Sequence, residues 1–135
     1  MEKGKKVAVL SGNMKSEASI QSSIILWFRN NYCLKTHNPR YCIFSVPNDG
    51  KNATEQMRKI ANGMMSGVSD LIVLMENKCY FFELKTEVGK QSDKQKDFQI
   101  QVEKLGFKYF LVRNLFDFQN IILHLHSENT TNGGS

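Results

Sequence analysis

The sequence predicts a single α/β domain, a central mixed β-sheet flanked by α-helices, and three observations carry that expectation. Short runs of β-branched, aromatic and aliphatic residues alternate with segments of helical period along the 135 residues. The resulting order, helix, strand, helix, strand, strand, helix, strand, helix, is that of a layered domain whose helices cover a sheet. The last strand, helix, strand unit implies a right-handed crossover, which sets residues 107–113 parallel to the strand that contains Glu83.

Each element has its own signal. KKVAVLS gives a short strand or ordered arm at residues 6–11, closed by the turn-like Gly12-Asn13. From Ser16 onward Ile20, Ile24, Trp27 and Phe28 recur at helical spacing, with Asn30-Asn31 near the stop. YCIFSVPN is rich in strand formers and is ended by Pro47 and Asn48, which places a strand at 41–46. NATEQMRKIANG has an Asn or Thr cap, good helix formers and a terminal Gly63. DLIVLM and YFFELK are strand-length and apolar, and the intervening ENKC is short enough for a hairpin. SDKQKDFQIQVEKLG opens on a capping Ser92, sets Phe98, Val102 and Leu105 on one helical face and stops at Gly106. FKYFLVR is a further strand and LFDFQNIILHL a terminal helix. Residues 127–135, SENTTNGGS, have no apolar periodicity and read as a flexible tail, leaving 1–126 as the domain.

Composition narrows the function classes. Lys and Arg total 18 against 13 Asp and Glu, and the excess of +5 favours a polyanionic partner. Cys33, Cys42 and Cys79 are odd in number and widely spaced, which excludes a disulfide framework or zinc knuckle and suits a reducing, cytoplasmic setting. No run has the length of a membrane span and no leader pattern opens the chain, so a soluble, unexported protein is expected.

The chemistry concentrates around the predicted hairpin. Glu83 and Lys85 lie two residues apart on a strand and share a face, while Phe82 and Leu84 point the other way. Asp70 begins the partner strand, and pairing across the turn brings it near Glu83. Two adjacent carboxylates repel each other unless a cation lies between them. Mg²⁺ suits that position, because it takes one or two carboxylates together with water and phosphate oxygens. Such an ion, with a lysine beside it, is equipped for phosphodiester hydrolysis. The competing reading is that Asp70 caps or turns the chain while Glu83 and Lys85 form a solvated patch on an edge strand.

Other candidates carry paired readings too. Glu17 precedes Ile20 by three residues and Ile24 by seven, so it shares their inward face; as a first-turn acid it also suits the helix dipole. Gln95 completes a capping box with Ser92, its amide bonding back to the cap residue. Lys90, Lys94 and Lys96 cluster near the same point and suit a phosphate backbone, or a solvated helix start. His124 and His126 lack a third ligand and read as surface residues, and Cys79 has no neighbouring base.

A resemblance bears on these alternatives. G-V-S-D, a short apolar run, E-L-K, and Q-S-D-K-Q opening a helix together resemble the PD-(D/E)XK nuclease superfamily, specifically its VRR-NUC branch of virus-type replication and repair nucleases. VPNDGKN at 46–52 resembles that branch's proline-asparagine-glycine segment, and ANGMMSGVSD its glycine-punctuated approach to the aspartate. The likeness spans most of residues 16–113 and implies a restriction-endonuclease-like core. It implies Asp70 and Glu83 as metal ligands, the Leu84 carbonyl as a third, Lys85 as the catalytic lysine, and Glu17 and Gln95 as further site residues. Ser69 departs from the proline usual there, which bears on local rigidity more than on chemistry. The implied activity is that of a Mg²⁺- or Mn²⁺-dependent DNA endonuclease. Stand-alone members are typically viral and dimeric, with four-way junctions among their substrates, so a homodimeric junction resolvase is the sharpest expectation, acting inside the host cell if viral. The alternative is a non-catalytic nucleic-acid-binding module on the same fold.

Overall fold

The computed structural model describes residues 15–47 and 52–133. The expected arm at 6–11 and residues 48–51 of the proline-asparagine-glycine segment lie outside them. The helices are α1 (Glu17–Tyr32), α2 (Ala53–Ala61), α3 (Asp93–Lys104) and α4 (Leu115–Gly133); the strands are β1 (Cys42–Ser45), β2 (Leu71–Met75), β3 (Lys78–Leu84) and β4 (Lys108–Val112). The four strands form one sheet in the order β1-β2-β3-β4, antiparallel except for the parallel β3–β4 pair. The architecture is therefore α/β with a mixed sheet, and α3 is the crossover that turns β4 parallel to β3.

Strand alternation divides the side chains between two layers. Leu71, Val73 and Met75 of β2, Tyr80, Phe82 and Leu84 of β3, and Val112 of β4 face α1 and α4, which contribute Ile20, Ile24 and Phe28, and Phe118, Ile122 and Leu125. Phe82 lies 4.8 Å from Phe118 and 5.1 Å from Phe110, ring centre to ring centre, at the middle of this core. The other face is covered by α3, where Phe98 and Val102 meet Tyr109, Phe81 and Val68. Glu83 projects into this second layer, as the alternation with Phe82 and Leu84 requires.

Local chemistry fixes the element ends. Ser16 caps α1, its Oγ accepting from Ser19 N at 3.1 Å, and Asn52 caps α2 through Glu55 N at 2.9 Å. The hairpin between β2 and β3 is tighter than the four-residue ENKC connection: Met75 pairs with Lys78, so only Glu76 and Asn77 turn the chain. Asn77 takes φ +58°, a left-handed conformation that asparagine tolerates better than most residues.

The carboxyl end corrects the sequence reading. Helix α4 runs to Gly133, through residues expected to form a flexible tail from 127. Phe118, Ile122, Leu125 and Asn129 all lie on its buried side, at spacings of four, three and four. The last of them is polar: Asn129 is 8% exposed and donates from Nδ2 to the Tyr80 hydroxyl at 3.2 Å. A search for apolar period stops one turn short of it. His126 is likewise half-buried rather than on the surface, with Nδ1 3.1 Å from the Tyr41 hydroxyl, whereas His124 is exposed. The three cysteines are free thiols. No helix among the described residues is long and apolar enough to cross a membrane.

Candidate metal and catalytic site

The antiparallel register decides where Asp70 lies. Leu71 pairs with Phe82, so the residue before Leu71 comes opposite Glu83. Asp70 is anchored on both sides: its carbonyl accepts from Val46 N at 3.0 Å, and its Oδ2 accepts from Leu84 N at 2.8 Å. The second bond reaches across to β3. Within a strand the N–H and C=O of one residue point the same way, so the Leu84 carbonyl faces the Asp70 side as well.

Glu83 is 1% exposed. Its Oε2 accepts from Gln95 Nε2 at 2.9 Å and lies 3.5 Å from Lys85 Nζ. Its Oε1 is buried and receives no hydrogen bond, and no other buried side-chain oxygen or nitrogen among the described residues is left in that condition. An unpaired buried carboxylate oxygen is costly. Burial, then the neighbouring Asp70 charge, push the Glu83 carboxyl up to about 8 from its ordinary 4.5, against the opposing pull of Lys85. At neutral pH Glu83 therefore retains a proton that a bound cation would displace.

Gln95 satisfies both of its readings at once. Its Oε1 accepts from Ser92 N at 2.8 Å and its N–H donates to Ser92 Oγ at 3.2 Å, a complete capping box. The remaining amide nitrogen is the one that reaches Glu83. The helix cap thus aims a donor into the site.

Glu17 does not join this cluster. It is exposed and makes no ion pair among the described residues, contrary to the inward placement its spacing predicts. Its angle around α1 is that of the buried stripe, but it sits in the first turn, beyond the edge of the core that begins at Ile20. Lys90, Lys94 and Lys96 are exposed around the start of α3, without ion pairs among the described residues. No cluster of three or more His, Cys, Asp or Glu residues occurs among the described residues. The site offers two acids and a carbonyl.

That donor set still fits a hard divalent ion. Mg²⁺ is commonly held by one or two carboxylates, with water and phosphate oxygens completing six positions. The orphaned Oε1 is the observation that supports the fit, because a cation beside it supplies the missing partner.

Three further residues support the site, and of these only Gly67, in G-V-S-D, falls within a motif read from the sequence. Gly67 has φ +83°, and a Cβ there would collide with the Lys94 carbonyl; only glycine lets the chain approaching Asp70 lie against the first turn of α3. Tyr109 is buried on the Glu83 face, and its hydroxyl accepts from Gln91 Nε2 at 3.1 Å. Burial and the Glu83 charge hold that phenol firmly protonated. Its position follows from the parallel register, which pairs it with Phe81. Arg113, at the end of β4, binds three carbonyls of the turn after Lys85.

No protein-family model matches the sequence, and no curated protein matches it. Among solved structures, the fold is similar to that of a VRR_NUC domain protein. The two share 16% sequence identity, with a TM-score of 0.66 over 82% of this chain and 87% of the other. The chain has the fold of that domain.

Proposed function

We propose that the protein is a divalent-metal-dependent nuclease that hydrolyses phosphodiester bonds in DNA. The observation that carries the reading is Glu83, buried beside Asp70 and Lys85 with one carboxylate oxygen lacking any donor. The similarity in fold to a VRR_NUC domain protein supports it. A non-catalytic binding module would have no use for such a carboxylate.

Asp70, Glu83 and the Leu84 carbonyl would hold Mg²⁺ or Mn²⁺. When bound, the ion supplies a Lewis acid for the phosphoryl group and lowers the pKa of a coordinated water. Lys85 keeps a charged amine beside that position, where it stabilises negative charge on the phosphate and orients the attacking water. Gln95 holds the Glu83 carboxylate in one rotamer, and the Leu84 N–H does the same for Asp70. Lys90, Lys94 and Lys96 flank the site and attract the DNA backbone through counterion release.

The finer form of the proposal is a homodimer that resolves branched DNA such as four-way junctions inside a cell, the host cell if the protein is viral. A pair of sites related by a two-fold axis suits symmetric cuts. The test is a gel assay that offers linear duplex, single-stranded, flapped and four-way DNA with Mg²⁺, Mn²⁺ or chelator. Metal-dependent cutting that disappears in Asp70→Asn is expected; equal cutting with chelator, or by that variant, overturns the proposal.

A further inference from the structure

The turn between Lys85 and α3 has almost no apolar anchorage. Val88 is 74% exposed, and Glu87 and Lys90 are exposed on either side. Beneath it opens a cavity of about 330 Å³, lined in part by Thr86, Glu87, Arg113 and Lys15. A segment without packed side chains holds its shape only through its hydrogen bonds. Within the turn, Gly89 N donates to the Thr86 carbonyl at 3.2 Å. Gln91, at its far end, donates to Gln99 and Tyr109; residues 86–89 are tied to the rest of the molecule by Arg113, whose Nη1 donates to the carbonyls of Thr86 at 2.6 Å, Gly89 at 2.8 Å and Glu87 at 3.2 Å.

Arg113 is itself well placed to transmit position. Its backbone N–H donates to Asp117 Oδ2 at 3.3 Å, in the first turn of α4. The carbonyl of the preceding residue, Val112, accepts from Lys85 N at 3.1 Å. One strand end therefore grips the backbone of Lys85 and, through the guanidinium, the turn that follows it. That turn borders the lysine stem, since a Cβ on Gly89 would stand 3.4 Å from Lys85 Cδ.

We infer that Arg113 is a positioning residue for Lys85: it clamps the 86–89 turn into a wall that keeps the lysine stem extended towards Glu83. The inference rests on the reading of Lys85 as the amine of a nuclease site. The three carbonyls converge on the single nitrogen Nη1, so the clamp depends on a cationic donor held at that one point, which neither an amide nor an apolar side chain supplies.

The experiment compares wild type with Arg113→Gln and Arg113→Met, both of which remove the cationic donor. Metal-free protein is treated with acetic anhydride, and the acylation rate of each lysine is read by mass spectrometry. Lys85 is 12% exposed in its side chain, so its rate should rise about fivefold or more in both variants, while Lys59 and Lys108 stay within about twofold. An unchanged Lys85 rate overturns the inference; so does a rise shared by all lysines, which marks general destabilisation. In cleavage assays with Mn²⁺, kcat should fall about tenfold or more with KM and the half-saturating Mn²⁺ concentration unchanged. A loss confined to KM, or to metal affinity, contradicts it. If wild type cuts no DNA, the nuclease reading falls, and the acylation rates still decide whether Arg113 positions Lys85.

Discussion

Replacing Glu83 by glutamine should alter the stability of the metal-free protein in a way that depends on pH. The Glu83 carboxyl is pushed up to about 8 in the folded chain from 4.5. The folded state therefore holds a proton that the unfolded state has already released across that interval. Stability from this group is fully present below about 4.5 and is lost as pH rises through about 8. At about 1.4 kcal/mol per pH unit, the whole interval amounts to about 5 kcal/mol. Glutamine cannot ionise, and its amide oxygen can still accept from Gln95, so Glu83→Gln removes the dependence while keeping the shape. Urea unfolding in chelator, at half-unit steps from pH 5 to pH 9, measures the difference between the two proteins and cancels the contribution of all other titrating groups. Wild type should lose several kcal/mol relative to the variant towards high pH. Mn²⁺ at about a hundred times its dissociation constant should return about 2.7 kcal/mol to wild type and nothing to the variant. Parallel curves, or equal stabilisation of both proteins by Mn²⁺, would refute the reasoning.

Three further outcomes are expected. Lys85→Ala should lower kcat by about a hundredfold or more while Mn²⁺ affinity, measured by calorimetry, changes little; equal loss of both would reassign the lysine to metal binding. Gly67→Ala should destabilise the fold by more than about 1 kcal/mol in urea, because both its φ and the Lys94 carbonyl oppose a side chain. Phe118→Ala, at the centre of the larger core, should cost about 3–5 kcal/mol in the same assay without altering Mn²⁺ affinity at any temperature where it stays folded.

Much of this fold is legible because period and punctuation agree. The stripe of Ile20, Ile24 and Phe28, the capping box at Ser92 and the parallel return of β4 all appear in the structure as the sequence predicts. The juxtaposition of Asp70 and Glu83 is legible for the same reason, since hairpin register leaves a strand little freedom. What escapes is information carried by height and by polar residues doing apolar work. Glu17 has the right angle around α1 but stands above the core, and angle is all that spacing reports. Asn129 continues the buried face of α4 with an amide, so the helix outruns its apolar signal. Gly67 stands in the G-V-S-D motif, but its reason, like the role of Arg113, lies in backbone atoms brought close only by tertiary folding, and a sequence pattern carries no trace of a carbonyl waiting opposite.

The most direct measurement is calorimetric titration of Mn²⁺ into the metal-free wild type, Asp70→Asn and Glu83→Gln at pH 7.5. The account predicts saturable binding with proton release in wild type and none in either variant. Undiminished binding in both variants would contradict it, because the ion would then be held somewhere other than between these two carboxylates.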